Sequence, residues 1–186
     1  WDLGDDTHTL VESFAEGWAW SIPVESGHRY FTCMLDPQVS ELSGGSMRQR
    51  YLDALGRTEA FKRLLDGADL EGQPWGCDAT WYRAERVCGE RFLLLGDAAS
   101  RIDPLSSFGV KKALASGWLA AIVTNTWVQD PGMRSAAAML FANRERRMYD
   151  SFRSQASQFF QAVAEDHHHP FWTGRSSSED QPTVAD

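Results

Sequence analysis

The segment GDAASRIDPLSSFGVKKALASG, residues 96–117, carries the residue types best suited to chemistry. Asp97 follows the apolar run Phe92 to Leu95 and Gly96, Pro104 constrains the loop behind it, and a helix is expected to open at Gly109. The first N–H groups of a helix have no internal partners and its dipole makes that end partly positive. An anion or an electron-rich carbonyl would sit well there. Asp97, at the end of an expected strand, suits a sugar-like hydroxyl as donor to its carboxylate; equally, Asp97 and Asp103 read as ordinary turn and cap residues. A second segment, WAWSIP at residues 18–23, sets Trp18, Trp20 and Ile22 at alternate positions. In an extended strand all three side chains face one way and Ala19 and Ser21 the other. That face is either part of a core or the wall of a pocket. His167, His168 and His169 are adjacent residues before Pro170, a pattern more typical of a solvated run than of metal ligands, so no metal is expected. No G-x-S-x-G supports acyl transfer.

These residues need elements to hold them. Residues 8–36 alternate as a β meander with turns at Glu16-Gly17 and Glu25-Ser26-Gly27, which predicts an antiparallel sheet with one wet and one dry face. Residues 46–66 switch to helical spacing, divided near Gly56 into two short helices. CDATWYRAERV alternates again and reads as a strand returning to that sheet. Phe92 to Leu95, apolar on both faces, reads as a strand buried within an α/β layer. Residues 109–128 read as a buried helix that includes Trp118, Asp130-Pro131-Gly132 breaks it, and a long amphipathic helix runs from Arg134 to about Glu165 with Phe141, Met148, Phe152, Phe159 and Val163 along its apolar stripe. Arg144, Arg146, Arg147 and Arg153 form its solvated face. Trp127 is expected in a core, and Trp75 and Trp81 beside the sheet. TGRSSSEDQPTVAD has the composition of a disordered tail.

Composition narrows the classes. The chain has 186 residues, 42% of them hydrophobic, and a net charge of −8 from 26 acidic and 18 basic side chains. Acidity and scattered arginines argue against nucleic acid as a partner. No apolar run approaches the ~20 residues needed to cross a membrane. Cys33, Cys77 and Cys88 are odd in number and lack zinc-ligand spacing, which fits a reduced, cytoplasmic compartment. The chain opens on WDLGDDTHT without an initiator methionine, so further sequence in front is expected.

Gly96-Asp97-Ala98-Ala99, with Pro104 seven and Gly109 twelve residues after the aspartate, resembles the second flavin-binding fingerprint of the aromatic hydroxylase class of FAD enzymes, which includes flavin-dependent halogenases. WAWSIP is similar to the W-x-W-x-I-P signature of those halogenases. The resemblance covers most of residues 8–172. It implies that Asp97 binds the ribityl chain of FAD, that Gly96, Ala98, Pro104 and Gly109 shape the loop, and that the N–H groups of Val110 and Lys111 face the flavin pyrimidine. It further implies a substrate pocket walled by Trp18, Trp20 and Ile22 and a halide contact at Ser107, Phe108 and Gly109. Phe108 stands where some relatives have a small residue. The G-x-G-x-x-G of the family and its halogenating lysine are absent; Ser43-Gly44-Gly45 follows no expected strand, and neither Lys111 nor Lys112 is expected in that lysine's role. By itself the chain is therefore not expected to be competent.

The fold class that follows is α/β, or α+β within these residues: an antiparallel substrate-domain sheet, the closing strand-helix part of an FAD-binding domain and a long C-terminal helix. The expected divisions are 1–90 for the sheet with inserted helices, 91–132 for the second FAD segment, 133–172 for the C-terminal helices and 173–186 for the tail. The implied reaction is halogenation of an electron-rich arene, free or on a carrier, by reduced FAD, O2 and halide, with a separate flavin reductase as partner. The retained G-D-A-A makes the chain look more like phenol or pyrrole halogenases than free tryptophan ones. A flavin monooxygenase of the same fold and a non-catalytic binding module are the alternatives.

Overall fold

A computed structural model describes residues 8–25, 27–41 and 45–176. They fall into two compact units, one built from residues 8–77 and 160–176, the other from Asp78–Phe159.

In the first unit, β1 (Leu10–Phe14), β2 (Gly17–Glu25) and β3 (His28–Leu35) form an antiparallel meander in the order β1-β2-β3. The expected hairpin at Glu16-Gly17 is present, and Ser26 of the next turn lies outside the described residues. Gly17 is required: a Cβ there would lie 2.1 Å from the Met34 carbonyl oxygen, inside the β2–β3 pairing. Leu10, Phe14, Ala19, Phe31, Cys33 and Leu35 on one sheet face pack with Leu55, Phe61 and Tyr51. Those last three belong to α1 (Met47–Gly56) and α2 (Ala60–Leu64), separated after Gly56 as the sequence predicts. Ser46 caps α1 through Gln49 N at 3.2 Å. The Glu12 carboxylate of β1 reaches α2, accepting from the N–H groups of Glu59, Ala60 and Phe61.

The face beneath the helices is thus the small-residue side of WAWSIP, with Ala19 and Ser21 wholly buried. α5 (Pro170–Ser176) belongs to the same unit; buried Trp172 donates from Nε1 to the Phe14 carbonyl at 2.9 Å and packs against Phe160 and Phe171. Residues 173–176, expected in a tail, are therefore helical, because Trp172 anchors the turn; the rest of that stretch lies outside the described residues.

In the second unit, β4 (Tyr82–Arg83) pairs antiparallel with β5 (Ser100–Arg101). This corrects the expectation that CDATWYRAERV rejoins the meander, since its alternation found a different partner. Phe92 to Leu95 is not a buried strand either. Only Cys88 bridges to Leu93 among the described residues, and Phe92 and Leu95 are exposed. An extended run becomes a buried strand only where neighbours take its hydrogen bonds and cover its faces.

α3 (Gly109–Gln129) follows, then a turn at Pro131–Met133 held by Asp130 Oδ1 accepting from Gly132 N at 3.0 Å, and then α4 (Arg134–Asp166). The core of this unit joins Ala120 and Val123 of α3 to Ala137 and Phe141 of α4, with Trp127 packed against it. α3 buries only the line Lys112, Ser116, Ala120 and Val123. Trp118, expected in the core, is 70% exposed, as are Leu114 and Val110 to similar extent, because the helix is apolar on more sides than the unit covers. Along α4 the expected stripe is shifted: Phe141 is buried, but Phe159 is exposed and Phe160 buried in its place. Ala137, Phe141, Glu145 and Tyr149 step by four, so Glu145 occupies a core position. No helix of the described residues is long and apolar enough to cross a membrane.

Candidate functional site

The loop from Gly96 to Lys111 lies wholly in the second unit. Gly96–Ala98 forms a tight turn that Gly96 enters at φ +55°, a left-handed conformation suited to glycine. Its amide donates to Ser116 Oγ at 3.4 Å. The Tyr82 hydroxyl donates to the Asp97 carbonyl, and Ala84 N donates to the Ala99 carbonyl at 3.0 Å. Backbone groups of the turn are thus held from outside it, while the Asp97 and Ala98 side chains remain exposed.

Asp103 is an N-cap, accepting from Leu105 N at 2.9 Å and so ordering the turn Pro104–Ser106. The cap reading of Asp103 holds; Asp97 is different, because its carboxylate accepts no hydrogen bond among the described residues. Ser107 is the one non-glycine residue with positive φ among them, at 55°. It turns the chain into α3, whose N-cap residue Phe108 offers no side-chain hydrogen bond. Phe108 is partly exposed and packs on Phe152 at 5.2 Å, with the Lys111 ammonium 5.0 Å over its ring. Gly109 leaves open space where a Cβ would be, and Val110 is 76% exposed. The first turn of α3 therefore presents backbone N–H groups with nothing from its own side chains to satisfy them.

The sequence raised Lys112 only to set it aside as the halogenating lysine, yet it underlies the loop. It is 1% exposed, and its Nζ donates to the Gly96 and Ser100 carbonyls, each at 2.7 Å. Burial pushes the ammonium below the ordinary lysine range, while the Glu145 and Asp97 carboxylates act in the opposite direction. Glu145 is 2% exposed and both its oxygens lack hydrogen-bond partners. The spacing 112, 116, 120, 123 was the available signal, since it puts Lys112 on the same helix face as Ala120 and Val123.

Trp18, Trp20 and Ile22 belong to the first unit, on the sheet face opposite Ala19. Trp18 and Trp20 stack with ring centroids 5.0 Å apart and planes inclined by 28°. Trp18 is buried and its Nε1 has no hydrogen-bond partner; Trp20 and Ile22 are half-buried. Two of the three adjacent histidines have local roles and His168 is exposed: His167 stacks on Trp172, and His169 Nδ1 accepts from Phe171 N at 3.1 Å, starting α5. Among the described residues no group of three or more His, Cys, Asp or Glu is placed to hold a metal ion. Trp75 is 82% exposed, and Trp81 lies beneath the Arg153 guanidinium at 5.7 Å.

Comparison with known proteins gives the site its context. The sequence profile of the family described as Tryptophan halogenase matches residues 4–186. The flavin-dependent halogenase armH1 of Armillaria mellea is 30% identical over 118 residues, 56% of this chain and 23% of that protein. Among solved structures, the flavin-dependent halogenase CmlS superposes with a TM-score of 0.84 at 23% identity, over 94% of this chain and 32% of that one. The peptidyl tryptophan dihydroxylase QhpG superposes with a TM-score of 0.77 at 24% identity, over 98% and 43%. At those identities the structures show a shared fold. The chain spans from about a fifth to just under half of the length of the curated relatives it matches.

Proposed function

The chain belongs to the tryptophan halogenase family, and from that premise we propose that it supplies the isoalloxazine-side wall of an FAD site and part of an arene pocket in a flavin-dependent halogenase. The observation that carries this reading is the uncapped first turn of α3 following the loop that presents the exposed Asp97 carboxylate. These residues fit the cofactor: an exposed carboxylate that accepts no hydrogen bond among the described residues suits ribityl hydroxyls, and N–H groups at an uncapped helix start suit a carbonyl that gains negative charge on reduction. Asp97 binds the ribityl chain, Gly96, Ala98, Pro104 and Gly109 keep the backbone close, and the Val110 and Lys111 amides hold the pyrimidine oxygen. Bound and reduced, FAD would supply two of the four electrons that O2 takes up, the halide supplying the other two and so being oxidised. Ser107, Phe108 and Gly109 are the halide contact in this reading, the left-handed Ser107 turning the backbone there.

Half-buried Trp20 and Ile22, backed by the buried Trp18 stacked on Trp20, form an apolar wall against which an electron-rich aromatic substrate, free or carrier-bound, would lie. A separate flavin reductase provides the reduced cofactor, in a cytoplasmic setting.

The test uses the complete polypeptide that carries these residues. FAD uptake is followed by quenching of flavin fluorescence, and Asp97→Ala is expected to weaken it by about ten-fold or more, the loss of hydrogen bonds to a charged group. Reduced flavin with bromide and a panel of phenols, pyrroles and indoles is expected to give brominated product. Hydroxylated product that never carries bromine would replace this reading with the monooxygenase one.

A further inference from the structure

We propose that Lys112 is a positioning residue for the Asp97 turn, its buried ammonium tying together the carbonyls on either side of Asp97 and so fixing how that carboxylate meets the cofactor. This rests on the reading that Asp97 binds FAD. Lys112 Nζ lies 2.7 Å from the Gly96 oxygen and 2.7 Å from the Ser100 oxygen, closing a clasp around the four peptide bonds between those residues. One turn further along α3, Ser116 takes the Gly96 amide, so the same helix face grips Gly96 by both its donor and its acceptor. Outside the clasp Tyr82 and Ala84 hold the Asp97 and Ala99 carbonyls. The turn's backbone is constrained from both sides, and what it leaves exposed is the Asp97 carboxylate.

A buried ammonium is an expensive way to fill space. An apolar side chain of the same volume packs as well at lower desolvation cost. What the ammonium adds is reach to two carbonyls at once, with charge-assisted strength. Glu145, at a core position of α4 with no hydrogen-bond donor of its own, supplies the compensating charge. Lys112 does not touch the reacting atoms in this scheme; it acts through Asp97.

The experiment compares the complete polypeptide with Lys112→Met combined with Glu145→Gln, which removes both buried charges together, and with the milder Lys112→Gln, which keeps one carbonyl partner. Two quantities are read: amide hydrogen exchange across residues 96–101, and the Kd for FAD by fluorescence quenching. The double variant is expected to speed exchange in the turn by about ten-fold or more and to raise the FAD Kd by a similar factor, with β1–β3 exchange unchanged and Lys112→Gln intermediate. Unchanged exchange in the turn of a folded variant overturns the clasp, and an unchanged Kd despite a loosened turn overturns the positioning role. If the double variant does not fold, Lys112→Gln alone decides by the same two readouts. Failure of the underlying cofactor reading looks different: the unsubstituted polypeptide then takes up no FAD, while the exchange measurement still reports on the clasp.

Discussion

Gly96 and Ala113 show how little room the loop leaves. A Cβ on Gly96 would lie 3.0 Å from the Ala113 Cβ, and the backbone there holds φ +55°. Gly96→Ala combines left-handed strain with a tight contact and is expected to cost about 1–3 kcal/mol, read from urea unfolding midpoints at constant slope. An unchanged midpoint would mean that the turn relaxes freely. The cysteines differ in a way chemistry can read. Burial pushes the Cys33 thiol up to about 12 from an ordinary 9.0, whereas Cys77 is exposed. Iodoacetamide at pH 8 is expected to label Cys77 and spare Cys33 in the folded chain, since only thiolate reacts; mass mapping that finds both labelled at one rate would contradict the packing of β3. At this scale the spacing of Asp97, Pro104 and Gly109 was readable because it is local, and the structure places all three in one loop leading into α3. That spacing gave no sign of the role of Lys112 under the loop, because only the fold shows that its ammonium points at backbone 16 and 12 residues earlier in the chain.

Between elements, the contacts that matter are those tying β1 and β3 to the helices above them. Glu12 on β1 receives the α2 amides of Ala60 and Phe61, each at 3.1 Å, a cap supplied from more than forty residues away. Glu12→Ala is expected to destabilise by about 0.5–2 kcal/mol, whereas Glu12→Gln, which keeps an acceptor, should cost less. Equal losses in thermal unfolding would count against capping as the cause. Tyr51 of α1 donates to the Phe31 carbonyl at 2.9 Å and is pushed up to about 12 by burial and by the nearby Cys33. Both Cys33 and Tyr51 are raised above their ordinary 9.0 and 10.0, so the folded state holds protons the unfolded chain releases. Their stabilisation is complete below those ordinary values and is lost as pH rises toward 12. Melting temperatures should therefore fall across that alkaline window, and Cys33→Ala with Tyr51→Phe should flatten the fall.

At the scale of the whole molecule, residues distant in sequence complete one another's cores. Trp172 closes the first unit by donating to the Phe14 carbonyl, a bond across 158 residues of chain. Trp172→Phe leaves that buried acceptor unpaired and is expected to cost about 1–3 kcal/mol beyond the lost packing, seen as earlier unfolding of β1–β3 in hydrogen exchange. Uniform loss across both units would instead point to a general packing defect. What is local could be read from the chain alone: the meander and its hairpin at Gly17, the break after Gly56, the extents of α3 and α4, and the proline and glycine spacing of the loop that leads into α3. Periodicity and turn chemistry act over a few residues, so a single chain displays them openly. Which faces are covered was settled by long-range packing. It set Ala19 rather than Trp18 beneath the helices, left Trp118 exposed, paired Tyr82–Arg83 with Ser100–Arg101, and put Lys112 and Glu145 in the interior. Burial and strand pairing depend on what packs against a segment, and no segment carries that information alone.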